Sequence, residues 1–138
     1  MTLASIVETE AKLPQERPLV AAVYLNRYRR HMLLGADPTV IYALKLARRW
    51  DGNIRKADLD IDSPYNTYRK PGLPPGPIAN PGLASLRAAA APASTNFLYF
   101  VAKHDGSHAF STTIEEHNRN VFLYQVQWYR QQRMKDER

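Results

Sequence analysis

Six of the chain's ten prolines fall between residues 64 and 81, at positions 64, 71, 74, 75, 77 and 81, together with Gly72 and Gly76. Proline lacks the N–H that a helix or central strand must donate, so this density excludes regular structure from Asn53 to Pro81. This stretch is therefore a long loop. Loops of this length inside compact domains are usually functional or disordered. Tyr65, Tyr68, Leu73 and Ile78 lie within this one and argue against disorder.

On the amino-terminal side the periodicity is helical. Residues 2 to 12 place Leu3, Ile6, Val7, Glu10 and Leu13 at helical spacing, with Thr2 as a candidate N-cap and Lys12 at the far end. A second helix is predicted from about Pro14 through Met32, with Pro18 in its first turn and Leu19, Ala22, Val23 and Asn26 or Arg27 along one side. Asp37-Pro38 opens a third, with Asp37 as cap and Val40, Ile41 and Leu44 as its apolar stripe, ending before Asp51-Gly52. After the loop, PGLASLRAAAAP reads as a short alanine-rich helix stopped by Pro92. FLYFVAK and HAFS around Asp105-Gly106 read as a β-hairpin. Thr113 and Glu116 form a capping-box pattern for a last helix running to the C-terminus. The expected class is α+β, mainly α, with a small hairpin and a long Pro-rich loop, in a single domain over residues 1–138.

At 138 residues and 44% apolar content, one modest core is affordable. The net charge of +6 favours an anionic partner, unless the arginines at 27, 29, 30, 48 and 49 are simply solvated surface. There is no cysteine, so disulfides and thiolate chemistry are excluded. No apolar run is long enough to span a bilayer, and MTLASIVETE lacks the basic start of a signal peptide.

One residue breaks the pattern of the first helix. Glu10 lies on the apolar stripe, whereas Glu8, about 200° away around the helix, shares a face with Ala4, Ser5 and Lys12 and can pair with Lys12 at i, i+4. A carboxyl set against Leu3, Ile6 and Val7 loses hydration mainly as the anion, so its pKa should rise toward the range a general acid needs. Glycosidases commonly use two carboxylates. Glu8 faces the wrong way, so either Asp37, Asp58 or Asp62 assists or the chemistry needs one acid only. The competing structural role for Glu10 is an internal ion pair, for example with Arg17 or Arg69.

The loop sequence SPYNTYRKPGLPPGPIANPG mixes tyrosines, amides and a hydroxyl, as a sugar site does: rings stack on pyranose faces, and amides pair with hydroxyl and acetamido groups. The same residues could equally plug the core. His31, His104, His108 and His117 show no metal-ligand spacing, although His104 and His108 could face one another across the hairpin. No Walker, GxSxG or GxGxxG pattern is present, and neither a metal nor a cofactor is expected.

LASIVETE (3–10), VAAVYLNR (20–27), DPTVIY (37–42), DGN (51–53), SPYNTY (63–68), GLPPGPIANPG (72–82), LYFV (98–101) and the ending His108, Phe110, Glu116-His117-Asn118 together resemble the YceG-like, or MltG, endolytic murein transglycosylases over almost the whole chain. The resemblance implies a lysozyme-like catalytic domain that cleaves peptidoglycan between N-acetylmuramic acid and N-acetylglucosamine and leaves 1,6-anhydro ends. Glu10 matches the family's catalytic glutamate, serving first as acid and then as base. Thr39, Tyr65, Asn66, Thr67, Tyr68 and Asn80 are the corresponding candidates for holding the glycan. The family's amino-terminal membrane anchor and LysM-like domain have no counterpart here, so Met1 is expected to mark an excised fragment. The full-length protein is expected at the extracytoplasmic face of the inner membrane, with glycan strands and peptidoglycan synthases as partners.

Two departures stand out: Thr9 and Ala11 where the family more often has Lys and Thr, and Gly35-Ala36 where it has Gln-Thr. Rival readings are a glycan-binding module without catalysis, a lysozyme-type hydrolase, and a nucleic-acid binder. The last is suggested only by charge around Tyr24–Arg30 and lacks a recognition motif.

Overall fold

In the computed structural model, which describes residues 1–136, the first helix is buried without interruption from Leu3 through Val7. A helix turning about 100° per residue cannot bury five consecutive side chains against one neighbour. This helix, α1 (Thr2–Glu10), is enclosed by α2 (Arg17–Arg29), α3 (Asp37–Leu46) and α4 (Leu83–Ala90). The arrangement is possible because the face expected to be polar carries the small residues Ala4 and Ser5, and α4 buries the similarly small Ser85 and Ala88. Val20, Ala21, Tyr24, Leu34 and Ala36 complete the core around Ile6 and Val7.

Glu8 is correspondingly not a surface partner of Lys12. Its Oε1 accepts the Gly82 N–H at 2.6 Å and the Ser85 hydroxyl at 3.3 Å, and its Oε2 lies 3.9 Å from Arg17. It thereby satisfies the first turn of α4, where carboxylates are favoured. Helix α1 stops at Glu10, two residues earlier than its periodicity suggests, with Met1 rather than Thr2 as N-cap and no side-chain cap. Pro14 accounts for the early stop, since the residue before a proline is held extended, as Leu13 is at φ −91°, ψ 129°. Lys12 lies beyond the helix.

A 3₁₀ turn, Pro14–Glu16, leads into α2, which buries Val20 through Tyr24 and ends at Arg29, three residues before the expected Met32. His31 takes a left-handed φ of 59° there, and the Met32 N–H returns to the Arg27 carbonyl at 2.9 Å. Helix α3 starts on Asp37 itself, with Ala36 as N-cap and no side-chain cap, because the Asp37 carboxylate is bonded to the Tyr68 hydroxyl instead. Its last helical residue is Leu46.

The Pro-rich segment contains one short 3₁₀ turn, Lys56–Asp60, and otherwise follows an irregular path as its prolines require. It is tied down at intervals. Asn66 and Thr67 are fully buried, and the Ile78 N–H donates to Ser5 Oγ at 3.0 Å. The hairpin pairs β1 (Tyr99–Ala102) antiparallel with β2 (His108–Ser111), from Tyr99 opposite Ser111 to Ala102 opposite His108. His104 therefore sits in the turn, at φ 69°, and stacks on Trp128 at 3.9 Å rather than facing His108.

Thr113 caps α5 (Ile114–Val121) by accepting the Glu116 N–H. A π-helical turn, Phe122–Gln127, then joins α5 to α6 (Trp128–Asp136). The predicted continuation of that helix over residues 137 and 138 lies outside the described residues. The fold is α+β and mainly α, with about 52% helix and one two-stranded sheet among the described residues. None of its described helices is long and apolar enough to cross a membrane.

Candidate active site

Glu10 is the last residue of α1, so its side chain leaves the core where α1, α2, α3 and the hairpin converge. Two clefts meet at it, of about 380 Å³ and 320 Å³, and Ala102 and His108 line both as well. The first cleft adds Tyr24 and Arg27 from α2, Asp37 from the start of α3 and Tyr68 from the Pro-rich loop. The second adds Lys12, His104 and Ser107.

Burial raises the Glu10 carboxyl from an ordinary 4.5 to about 7, and the nearby negative charge of Asp37 adds to the rise. Neither cation that sequence offered as a partner reaches it: Arg17 approaches Glu8, and Arg69 donates to the Asp60 carbonyl at 2.9 Å. Among the described residues the Glu10 carboxyl forms no ion pair and no hydrogen bond. Half-buried, unpaired and facing open clefts, it is a carboxylic acid that retains its proton close to neutrality and can transfer it to a bound ligand.

The surrounding polar groups are held rigidly. Arg27 donates from Nε to the Leu98 carbonyl at 2.6 Å and from Nη1 to the Leu34 carbonyl at 2.7 Å, with its guanidinium 5.2 Å from the Tyr99 ring centre. Burial lowers its pKa, yet a guanidinium remains a cation at any working pH. Burial also pushes the Tyr24 phenol well up, and Tyr68 is raised by burial and by its bond to Asp37. Both hydroxyls thus stay protonated. The Tyr68 ring packs against Gly35, whose φ is +58°; a Cβ there would lie 3.3 Å from the Tyr68 ring. The backbone N–H groups of Gly35 and Ala36 donate to the carbonyl and hydroxyl of Thr67, at 3.1 and 2.8 Å.

Of the residues proposed from sequence, Glu10 and Tyr68 share the first cleft, and Asp37 joins them. The other candidates line neither cleft. Thr39 and Thr67 are buried with hydroxyls 2.8 Å apart, and Thr39 also donates to the Ala36 carbonyl at 2.6 Å. The buried Asn66 donates to the carbonyls of Leu59 and Ile61 at 2.9 and 2.8 Å and accepts the Tyr68 N–H at 3.0 Å. Tyr65 packs on Tyr42, ring centres 4.8 Å apart, and Asn80 is exposed just ahead of α4. Asp58 accepts the Arg55 N–H and Asp62 lies 4.0 Å from Lys70, so neither serves the site.

Sequence reasoning passed over Tyr24, Arg27 and His108. For the first two a signal existed: they stand at i, i+3 where the apolar run of α2 gives way to polar tips. Among the described residues no group of three or more His, Cys, Asp or Glu is placed to hold a metal ion.

The sequence pattern of the YceG-like family matches residues 1–122. An endolytic murein transglycosylase of Bacillus subtilis (strain 168) is 46% identical over 119 residues, covering 86% of this chain and 32% of that protein. One from Streptococcus pneumoniae serotype 2 is 38% identical over 128 residues, covering 88% and 22%. The crystal structure of a YceG-like protein from Listeria monocytogenes superposes with a TM-score of 0.77 at 45% identity, covering 86% of this chain and 37% of that one. The chain thus spans between about a fifth and just over a third of the length of the relatives it matches.

Proposed function

The chain belongs to the YceG-like family, and on that premise we propose that residues 1–138 form the catalytic domain of an endolytic murein transglycosylase with Glu10 as its acid and base. The observation that supports this most is Glu10 itself, unpaired at the junction of two clefts and protonated up to about pH 7. In this reading the fold is lysozyme-like, and a glycan strand lies through both clefts with its scissile bond over Glu10.

The chemistry needs a single carboxyl. Glu10 donates its proton to the glycosidic oxygen linking N-acetylmuramic acid to N-acetylglucosamine, and the C1–O bond breaks. The 6-hydroxyl of the muramoyl residue attacks the same C1 and closes a 1,6-anhydro ring. Glu10, now a carboxylate, accepts that hydroxyl proton and is restored. No water is consumed. Arg27 and the neutral hydroxyls of Tyr24 and Tyr68 supply hydrogen bonds along the first cleft, while Thr39, Asn66 and Thr67 serve by building the loop that presents Tyr68. Tyr65 and Asn80 are left as outer contacts for a longer strand. The rest of the full-length protein would supply a membrane anchor, a location at the outer face of the cytoplasmic membrane, and access to peptidoglycan synthases.

A second reading is hydrolysis with Asp37 activating water, because Asp37 lines the same cleft as Glu10. Mass analysis of the glycan ends released from purified sacculi separates the two. The proposal expects ends one water lighter than hydrolytic ends; products carrying the extra water would establish the hydrolase instead.

The pH dependence supplies a further test. Activity requires protonated Glu10, so the rate should fall as pH rises through about 7. Asp37→Asn removes a negative charge that opposes ionisation of Glu10, so this alkaline limb should move to lower pH. A limb that stays in place or moves upward would show that Glu10 is not the titrating acid.

A further inference from the structure

His108, like Glu10, lines both clefts, and it is held in a way that a surface histidine is not. Its Nδ1 lies 2.8 Å from Glu16 Oε1, and its backbone N–H donates to Glu16 Oε2 at 3.0 Å. Glu16 closes the 3₁₀ turn between α1 and α2, and its side chain is only 10% exposed, so the grip comes from a carboxylate largely withdrawn from water. The imidazole and the Phe100 ring pack perpendicular to one another, centres 5.2 Å apart and planes at 87°, which restrains the imidazole plane. A carboxylate at Nδ1 keeps a proton on that nitrogen and leaves Nε2 as the ring nitrogen free to meet a ligand, as acceptor in the neutral ring or as donor in the imidazolium. Among the described residues Nε2 has no hydrogen-bond partner. It is also not sealed, since the unpaired polar side-chain atoms without solvent contact are Arg17 Nε, Ser111 Oγ and His117 Nδ1.

We propose that His108 is a substrate-contacting residue, its Nε2 hydrogen-bonded to a hydroxyl or acetamido group of the N-acetylhexosamine seated over the junction, and that Glu16 is its positioning residue. The inference rests on the transglycosylase reading of the same site. It gives the hairpin a role in binding: β2 carries the contact, and Glu16 ties β2 to the start of α2, so the two walls of the cleft hold one register about the sugar. A sugar in that register has its glycosidic oxygen placed against Glu10.

His108→Asn is the discriminating variant, because its amide can still donate to Glu16 from near the Nδ1 position while Nε2 is gone. The expected result is kcat/KM on purified sacculi lowered roughly ten- to a hundredfold, the loss of one or two good hydrogen bonds to a bound sugar, with the thermal midpoint close to wild type. Glu16→Gln, which loosens the tautomer without removing the ring, should lower kcat/KM in the same direction by less. A folded His108→Asn protein with wild-type kcat/KM overturns the inference. Should His108→Asn fail to fold, the nitrogen resonances of His108 in the Glu10→Gln protein decide: adding uncrosslinked glycan strands should shift Nε2, and an Nε2 signal that ignores saturating glycan overturns it. Absence of anhydro ends from wild type would instead defeat the transglycosylase reading, so the two failures are distinguishable.

Discussion

Replacing Glu10 by Gln is expected to raise the thermal midpoint at pH 8 while leaving it almost unchanged near pH 4. In the unfolded chain this carboxyl ionises near 4.5; in the folded protein it holds its proton until about pH 7. Near pH 4 both states are largely protonated and the residue makes little difference. Between 4.5 and 7 the unfolded chain gives up its proton and the folded chain keeps it, so stability falls as pH rises across that window. Above 7 the cost of an ionised, half-buried carboxylate is fully present, and glutamine, neutral throughout, avoids it. The gain at pH 8 should be on the order of 1–3 kcal/mol, equivalent to roughly 3–10 °C for a domain of this size. Thermal scans of both proteins at the two pH values provide the check. An equal shift at both would mean that something other than the carboxyl charge separates them. A residue that weakens its own fold at neutral pH is what a retained functional acid looks like.

Asn66→Ala should have the opposite and larger effect, lowering stability by about 2–4 kcal/mol. The Asn66 side chain is fully buried and makes three hydrogen bonds, two from its amide to the Leu59 and Ile61 carbonyls and one accepted from the Tyr68 N–H. Alanine would leave these backbone groups without the partner while the surrounding packing still excludes water. The loss falls on the segment that carries Tyr68 into the cleft, so turnover should fall together with stability. Asn66→Asp should be no milder, since it replaces the donating amide with a carboxylate aimed at two carbonyl oxygens. Denaturant titration measures the first effect, and an Asn66→Ala protein as stable as wild type would show that the loop is organised from elsewhere.

Both results bear on what the sequence could reveal. The helices, the hairpin and the irregular course of 53–81 were legible because proline, glycine and periodic apolar residues act locally. Helix ends were less so: Leu13 ahead of Pro14 shortens α1, and Asp37 gives up its capping position to bind Tyr68, a residue 31 positions away. The placement of Glu10 on the apolar stripe was visible from spacing alone. The expected pairing of Glu8 with Lys12 does not form, because Ala4 and Ser5 read as a neutral face until α4 is seen packed against them. Long-range pairing explains the remainder of the site. Asn66, Thr67 and Thr39 have side chains suited equally to sugar or to backbone, and only burial distinguishes the two uses. His108 gains significance only from Glu16, 92 residues away in the chain.

The central claim is that one carboxyl, at position 10, performs the cleavage. It is tested most directly by incubating purified sacculi at pH 6 with equal amounts of wild-type and Glu10→Gln protein and measuring release of glycan ending in 1,6-anhydro-N-acetylmuramic acid. Release by wild type and none above background by a folded Glu10→Gln protein is the expected outcome. Release by Glu10→Gln at the wild-type rate would contradict it.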